Sequence, residues 1–305
     1  MCNYQIIGLD IGRGYVKGYS KYKQQEKECC FKSIVGMGRE MDFSEFQNPI
    51  YIESEGEDYF VGELAEIEGD NPIQNSRDSK ITTTVEKLIN AAINEIVIEK
   101  NIKIMLGVPN KLFNKKTLDE ITSFYKGKEI KIFDKINGGT KEVKIQDILI
   151  FKEADSALIW EMEKNPIDNE KAFGMVTIGF RTTEFAFFDK NLRYVDKNSK
   201  TMELGNKTSL EYVARMLKEK GIIRELFEID SSDNYDDLKN KAYINLSEKI
   251  EQEIENLWVN LDEMNIYIAG GTALNMKFNE NFKVVENPQM STAKGLWLVG
   301  KQKFN

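Results

Sequence analysis

Three glycine turns and a few carboxylates hold the residues most able to do chemistry in this chain. Asp10 stands just before the tight turn Gly12-Arg13-Gly14, and Lys17 follows it. Amides in such a turn can approach a phosphate closely, because no Cβ intervenes. Asp10 can hold a water of a hydrated Mg2+, an ion that keeps several waters beside a nucleotide. Lys17 can offer a point charge to phosphate oxygens. A second turn, Gly179-Phe180-Arg181, separates Thr177 from Thr182-Thr183-Glu184, and a third, Gly270-Gly271, leads into Thr272. Glu153 opens a helical stretch, where the helix dipole favours a carboxylate. None of these is a P-loop, since GxxxxGK[ST] is absent. Nor is the first the dinucleotide fingerprint, because Lys17 occupies the place of its third glycine.

Composition narrows the chemistry further. The chain has 305 residues and no histidine. That excludes Ser–His–Asp and Cys–His nucleophile systems, histidine-ligated metals and an imidazole switch. Acid–base work falls to carboxylates, lysines or tyrosines. A formal net charge of −8 gives no broad electrostatic footprint for nucleic acid. The cysteines are Cys2, Cys29 and Cys30; none forms a CxxC, so free thiols of a reducing compartment are expected. Met1–Asp10 lacks the basic region of a signal peptide. No apolar stretch approaches the ~20 residues of a membrane span. A soluble, cytoplasmic protein is expected.

These turns need elements to hold them. Tyr4–Leu9 reads as a buried strand, Tyr15–Tyr22 as a second and Cys29–Ile34 as a third. Pro49–Glu53 and Tyr59–Gly62 form a hairpin about Glu55–Asp58. Ser79 is expected to cap a helix whose buried face is Val85, Leu88, Ile89, Ala92, Ile93, Ile96 and Val97. Ile102–Val108 is a strand, Asn114 begins a helix, and Ile130–Phe133 pairs with Val143–Phe151 across Asn137-Gly138-Gly139. Glu153–Glu163 is a helix ended by Asn165-Pro166. Then the order restarts: strands at Phe173–Ile178, Thr182–Phe188 and Leu192–Lys197, and helices at Asn206–Lys220 and Leu246–Asp262. A strand at Asn265–Ala269, a helix start at Thr272–Met276 and a final helix at Gln289–Lys303 complete the chain. The acidic run Glu225–Asp237 is expected to be a solvated connection. The repeat of strand, glycine turn and strand predicts two duplicated α/β domains.

In order and spacing, Asp10–Lys17, Lys152-Glu153-Ala154, Gly179-Phe180-Arg181-Thr182-Thr183 and Ala269-Gly270-Gly271-Thr272-Ala273 resemble motifs of the actin, chaperone and sugar-kinase ATPase superfamily. They match its phosphate-1, connect-1, phosphate-2 and adenosine motifs respectively. Phe60-Val61-Gly62-Glu63-Leu64-Ala65, Leu106-Gly107-Val108-Pro109 and the tail Asn287-Pro288-Gln289 to Ala293-Lys294-Gly295 extend the resemblance over nearly the whole chain. Within the superfamily, the chain resembles the bacterial actin-like proteins of the ParM type, which segregate plasmids.

The resemblance implies an actin-like α/β fold of two related ribonuclease-H-like domains facing a nucleotide cleft. Domain I would span 1–155 and 290–305, with a small subdomain at about 34–75; domain II would span 156–289. It implies that Asp10, Gly12, Arg13, Gly14 and Lys17 bind the first phosphates, with Mg2+ at Asp10. Gly179, Arg181, Thr182 and Thr183 would bind from the second turn, and Gly270, Gly271 and Thr272 under the base and ribose of ATP or GTP. Glu153 would orient the attacking water. Thr177 departs from the pattern, which has Asp at that place; Glu184 and Asp155 are the nearby carboxylates that would compensate. The implied function is a nucleotide-hydrolysing homopolymer filament in plasmid segregation, joined to DNA through an adaptor protein and touching no nucleic acid or membrane itself. A small-metabolite kinase of the same superfamily and a nucleotide-binding scaffold with weak hydrolysis are the alternatives.

Overall fold

The computed structural model describes residues 4–165 and 170–304. Cys2 and Pro166 lie outside them. The chain divides into two compact units, Met1–Trp160 with Thr292–Asn305, and Glu161–Ser291.

The first unit begins with strands β1 (Gln5–Ile11), β2 (Tyr15–Tyr22), β3 (Gln25–Lys32) and β4 (Ile34–Met37). There follow β5 (Ile50–Ser54), β6 (Glu57–Val61), helix α1 (Glu63–Glu68), β7 (Asp70–Gln74) and helix α2 (Thr83–Ile96). Strand β8 (Asn101–Val108), helix α3 (Lys115–Tyr125), β9 (Glu129–Asp134), β10 (Thr140–Lys152) and helix α4 (Glu153–Lys164) come next. All ten strands join one sheet, ordered β3-β2-β1-β8-β10-β9-β5-β6-β4-β7. The second unit holds β11 (Ala172–Ile178), β12 (Thr183–Phe188), β13 (Lys200–Met202), α5 (Asn206–Glu219), α6 (Leu226–Ser231) and α7 (Asp236–Leu257). Strands β14 (Met264–Ala269) and β15 (Phe282–Val284) follow, and helix α8 (Ser291–Lys303) closes the chain. Its sheet is ordered β13-β12-β11-β14-β15.

The duplication is written in these orders. In the first unit β1 pairs antiparallel with β2, β2 with β3, and β1 and β10 pair parallel with β8. In the second, β11 and β12 pair antiparallel, as do β12 and β13, while β14 runs parallel to both β11 and β15. Both sheets therefore share a five-strand order, with a hairpin on one side and parallel strands on the other. Parallel strands need crossover connections: α2 lies in the one from β1 to β8, α3 in the one from β8 to β10, and α5 to α7 in the one from β11 to β14.

Helix α2 forms because its apolar residues recur with helical period. Val85, Leu88, Ile89, Ala92, Ile93 and Ile96 are wholly buried with the strands of the first sheet. Its cap is Thr82, not Ser79: the Thr82 hydroxyl accepts from the Val85 amide at 3.3 Å. Ser79 instead accepts from the Ile81 amide in a local turn. Asn114 caps α3 as expected, accepting from Thr117. The β5–β6 turn is only Glu55-Gly56, both with positive φ, the geometry of a two-residue hairpin. Strands β4, β5 and β6 and helix α1 gather a separate cluster of Ile34, Tyr51, Phe60, Leu64 and Ala65.

Four local expectations are corrected in the second unit. Leu192–Lys197 is not a strand: Leu192 takes a left-handed φ in a turn anchored on Asp189, and Tyr194 makes only one bridge to Phe188. The third strand of the repeat is β13. Helix α7 covers Asp236–Leu257 instead of Leu246–Asp262, because Ala242 and Tyr243 already belong to its buried face. It stops before Trp258, whose indole donates to the Asn198 carbonyl at 2.8 Å. Glu225–Asp237 is not all connection: it contains α6, with Ile229 fully buried against α5 and α7. Residues Gly271–Asn275 form a short 3-10 turn.

Candidate functional site

In the first unit the Gly12 turn is closed by its own backbone, the Gly12 amide donating to the Tyr15 carbonyl at 3.1 Å. A Cβ on Gly12 would lie 2.8 Å from that carbonyl and 3.3 Å from the Lys17 amine, so glycine is required here. Asp10 and Lys17 are directly opposed across β1 and β2. The Lys17 ammonium donates to Asp10 Oδ2 at 3.0 Å, and both side chains are nearly buried. Burial works against the Lys17 charge, but Asp10 outweighs it, and the lysine pKa stands above its usual value.

The outside of this turn is held by residues that no motif marks. The Gly12 carbonyl accepts from the Ser33 hydroxyl at 2.7 Å and from the Asn75 amide at 3.1 Å. The Ser33 amide donates to the Gly14 carbonyl at 2.8 Å. Arg13 pairs with Asp78, which also takes Lys111 at 2.8 Å. Despite partial burial, these two cations hold the Asp78 carboxyl below its ordinary range.

Glu153 begins α4 where β10 ends, in the same neighbourhood. Its Cγ lies so near Gly107 that a Cβ there would come within 3.1 Å, which gives the glycine of Leu106-Gly107-Val108-Pro109 its reason. The Lys80 amine stands 3.8 Å from Glu153 Oε1 and donates to the Ile11 carbonyl at 2.7 Å. Burial pushes the Glu153 carboxyl up to about 7, with Lys80 opposing and Asp10 adding to the rise. Asp155 lies two residues on; burial raises it to about 6, and its nearest cation is Lys152 at 3.8 Å.

The second unit repeats the hairpin. The Gly179 amide donates to the Thr182 carbonyl at 2.9 Å, the same closure as Gly12 to Tyr15. Glu184 is buried and directly opposite Thr177. Two further segments converge on the turn. The Thr272 hydroxyl donates to the Gly179 carbonyl at 2.9 Å, and the Asn206 amide donates to the same carbonyl at 3.2 Å. Gly270 adopts φ +96° and packs on the Ile178 backbone, leaving no room for a Cβ. Gly205 is equally confined, 2.5 Å from the Gly179 carbonyl if it bore one. Gly271 lies against the Gln289 side chain.

Other predicted residues are placed differently. The Thr183 hydroxyl donates to the Leu204 carbonyl at 2.8 Å, which makes it a tie between β12 and the entry to α5. Arg181 pairs with Glu203 at 2.9 Å on the exposed side. Each unit thus gathers its own predicted residues, Asp10, Gly12, Lys17 and Glu153 in one, Thr177, Gly179, Glu184, Gly270 and Thr272 in the other. Sequence reasoning missed Ser33, Asn75, Asp78, Lys80, Gly205 and Asn206. Only Gly205, a glycine just before a helix, carried a readable signal.

Among the described residues, no group of three or more Asp, Glu, Cys or His is arranged to hold a metal. A single carboxylate, Asp10, beside a glycine turn fits a magnesium ion that keeps its own waters. No helix among the described residues is long and apolar enough to cross a membrane.

Two α/β units of one topology, each with a glycine hairpin closed by the same hydrogen bond, define an actin-like fold. Residues 8–154 match the family model described as the N-terminal domain of actin-like proteins. No curated protein matches the chain. Among solved structures it is similar to a ParM of Clostridium botulinum in a 15-stranded filament. That likeness has a TM-score of 0.82 at 21% identity, over 99% of this chain and 100% of the other. An archaeal actin homolog in complex with ADP gives 0.79 at 17%, over 98% and 100%. A Bacillus thuringiensis ParM with ATP gives 0.72 at 13%, over 100% of both. The resemblance to the ParM type holds at the level of the fold.

Proposed function

We propose that this chain is a cytoplasmic, Mg2+-dependent nucleoside triphosphatase, on ATP or GTP, whose nucleotide state governs assembly into a homopolymer filament. The observation that carries the reading is the pair of equivalent hairpins. Gly12 and Gly179 each present a backbone turn that admits no side chain on the first and is braced from behind on the second. Asp10 and Lys17 flank one, and Thr177 and Glu184 flank the other. The amides and Lys17 bind phosphate oxygens, and Gly270, Gly271 and Thr272 support the base and ribose. When bound, Mg2+ neutralises phosphate charge, with Asp10 as its carboxylate. Glu153 accepts a proton from the attacking water, and its raised pKa suits a base working near neutrality. The similar proteins, one in a filament, one with ADP and one with ATP, support this reading. So does the net charge of −8, which suits attachment to plasmid DNA through an adaptor protein better than by direct contact.

Light scattering and pelleting with ATP, with GTP and without nucleotide, alongside phosphate release, test the proposal. Nucleotide-dependent pelleting with phosphate release is expected. A protein that stays unassembled at high concentration with either nucleotide overturns the filament. Release that requires an added metabolite would make the protein a kinase instead.

A further inference from the structure

Lys80 is a buried cation that no motif accounts for. It lies in the connection between β7 and α2 and is 8% exposed. Burying an ammonium costs free energy unless partners replace water. Lys80 has two such partners. Its amine donates to the carbonyl of Ile11, the last residue of β1 before the Gly12 turn, at 2.7 Å, and lies 3.8 Å from Glu153 Oε1. Its backbone is fixed independently, since the buried Tyr125 hydroxyl of α3 donates to the Lys80 carbonyl at 2.7 Å. The other cations of this neighbourhood are engaged elsewhere: Lys17 with Asp10, and Arg13 and Lys111 with Asp78. The side chain therefore ties the end of the first phosphate hairpin to the start of α4.

From this geometry we infer that Lys80 is a positioning residue, holding the Glu153 carboxylate in register with the first hairpin. The inference rests on the reading of Glu153 as the group that takes the water's proton. Lys80 acts through Glu153: its charge favours the ionised form that accepts a proton, and its bond to Ile11 sets where that carboxylate lies. Nucleotide affinity belongs to the hairpin amides, Lys17 and the second unit, so loss of Lys80 affects turnover and spares binding.

The test compares the full chain with Lys80→Met, Glu153→Ala and the double variant. Phosphate release at saturating MgATP, the Kd of a fluorescent ATP analogue and thermal melts are measured for each. Lys80→Met should lower turnover about 10-fold or more while Kd changes by less than about threefold. In the Glu153→Ala background the same change should cost less than about twofold, because a residue acting through another has nothing left to position. Should Lys80→Met melt below the assay temperature, Lys80→Gln, which keeps a donor for Ile11, carries the same expectations. Losses that multiply in the double variant overturn the inference. So does a Kd that rises in step with the fall in turnover, or unchanged turnover. A wild-type chain that binds MgATP but releases no phosphate overturns the hydrolytic reading itself, and the inference with it.

Discussion

Glu184 faces Thr177 across the second hairpin in the same register at which Lys17 faces Asp10 across the first. Directly opposed residues of an antiparallel pair share one face of the sheet. A carboxylate moved from the Thr177 position to the Glu184 position therefore stays on the same face, one strand away. This arrangement gives the second hairpin an acid directly opposite Thr177.

Glu184→Gln should lower phosphate release on the order of 100-fold, with nucleotide affinity changed only a few-fold, measured by coupled phosphate assay and equilibrium binding. Adding an acid is not the same as moving it. Thr177→Asp alone sets two carboxylates face to face and should cost up to about 1 kcal/mol of stability. The exchange Thr177→Asp with Glu184→Thr should recover release to within about 10-fold of wild type. Unaltered release in Glu184→Gln would remove this acid from the reaction.

Glu153 should make both activity and stability depend on pH, in opposite directions. Its carboxyl is raised from about 4.5 to about 7, chiefly by burial. Proton acceptance needs the ionised form, so release should rise as pH increases through about 7. Between the unfolded and folded pKa values the folded state holds the extra proton. The protonated carboxyl thus favours folding below the unfolded value, and that stability declines as pH climbs through the folded one. The nearby charges are Lys80, Asp10, Lys17 and Asp78. Glu153→Gln should gain stability relative to wild type from pH 5 to pH 8, by no more than about 3 kcal/mol. Urea titrations of nucleotide-free protein at both pH values measure the gain, and a pH-independent difference would contradict it.

How much of this was legible beforehand depends on whether a residue belongs to a periodic pattern or to a tertiary one. The buried face of α2 could be named because six of its residues repeat at helical spacing; the seventh expected, Val97, is the extended residue that ends the helix. The Asp10 and Gly179 hairpins could be named because a glycine lying between two strand patterns marks a turn. Lys80, Ser33 and Asn75 could not. They come to the Gly12 turn from segments remote in sequence, through β4, β7 and α2, and no local spacing records such a meeting. Helix α7 was misplaced because its first turns are polar, and only tertiary packing buries Ala242 against α5 and α6 and Tyr243 in the core of the second sheet. Nor could the partner of Arg13 be read, since Asp78 is distant in sequence and the fold alone brings the two together.

Gly12→Ala should disable the first hairpin with modest loss of stability. The new methyl meets the Tyr15 carbonyl at 2.8 Å and the Lys17 amine at 3.3 Å, so the turn must open and the Lys17 amine must shift where it meets Asp10. The overpacking should cost about 1–3 kcal/mol. Nucleotide Kd should rise on the order of 10-fold or more, because both the amides and the lysine shift together. Fluorescent nucleotide titration decides the matter, and an unchanged Kd would place the phosphates elsewhere.

The packing under Glu153 should prove less tolerant than any turn. Gly295 of α8 lies directly on the Ser156 backbone of α4, three residues beyond Glu153, and a Cβ at 295 would overlap that carbonyl. Gly8 of β1 faces the same helix, where its Cβ would come 2.5 Å from the Trp297 amide. Backbone cannot swing aside as a side chain can, so α8 must be displaced as a body. Gly295→Ala should therefore cost about 3 kcal/mol, at the upper end for an added methyl in a packed core. Gly138→Ala is the control: its φ is +73° but nothing lies within 4 Å, so only backbone strain of about 1 kcal/mol is expected. Because α4 carries Glu153, Gly295→Ala should also lower phosphate release more than nucleotide binding. Equal stability losses at 295 and 138 would show that α8 yields freely and that this helix contact does not set the position of Glu153.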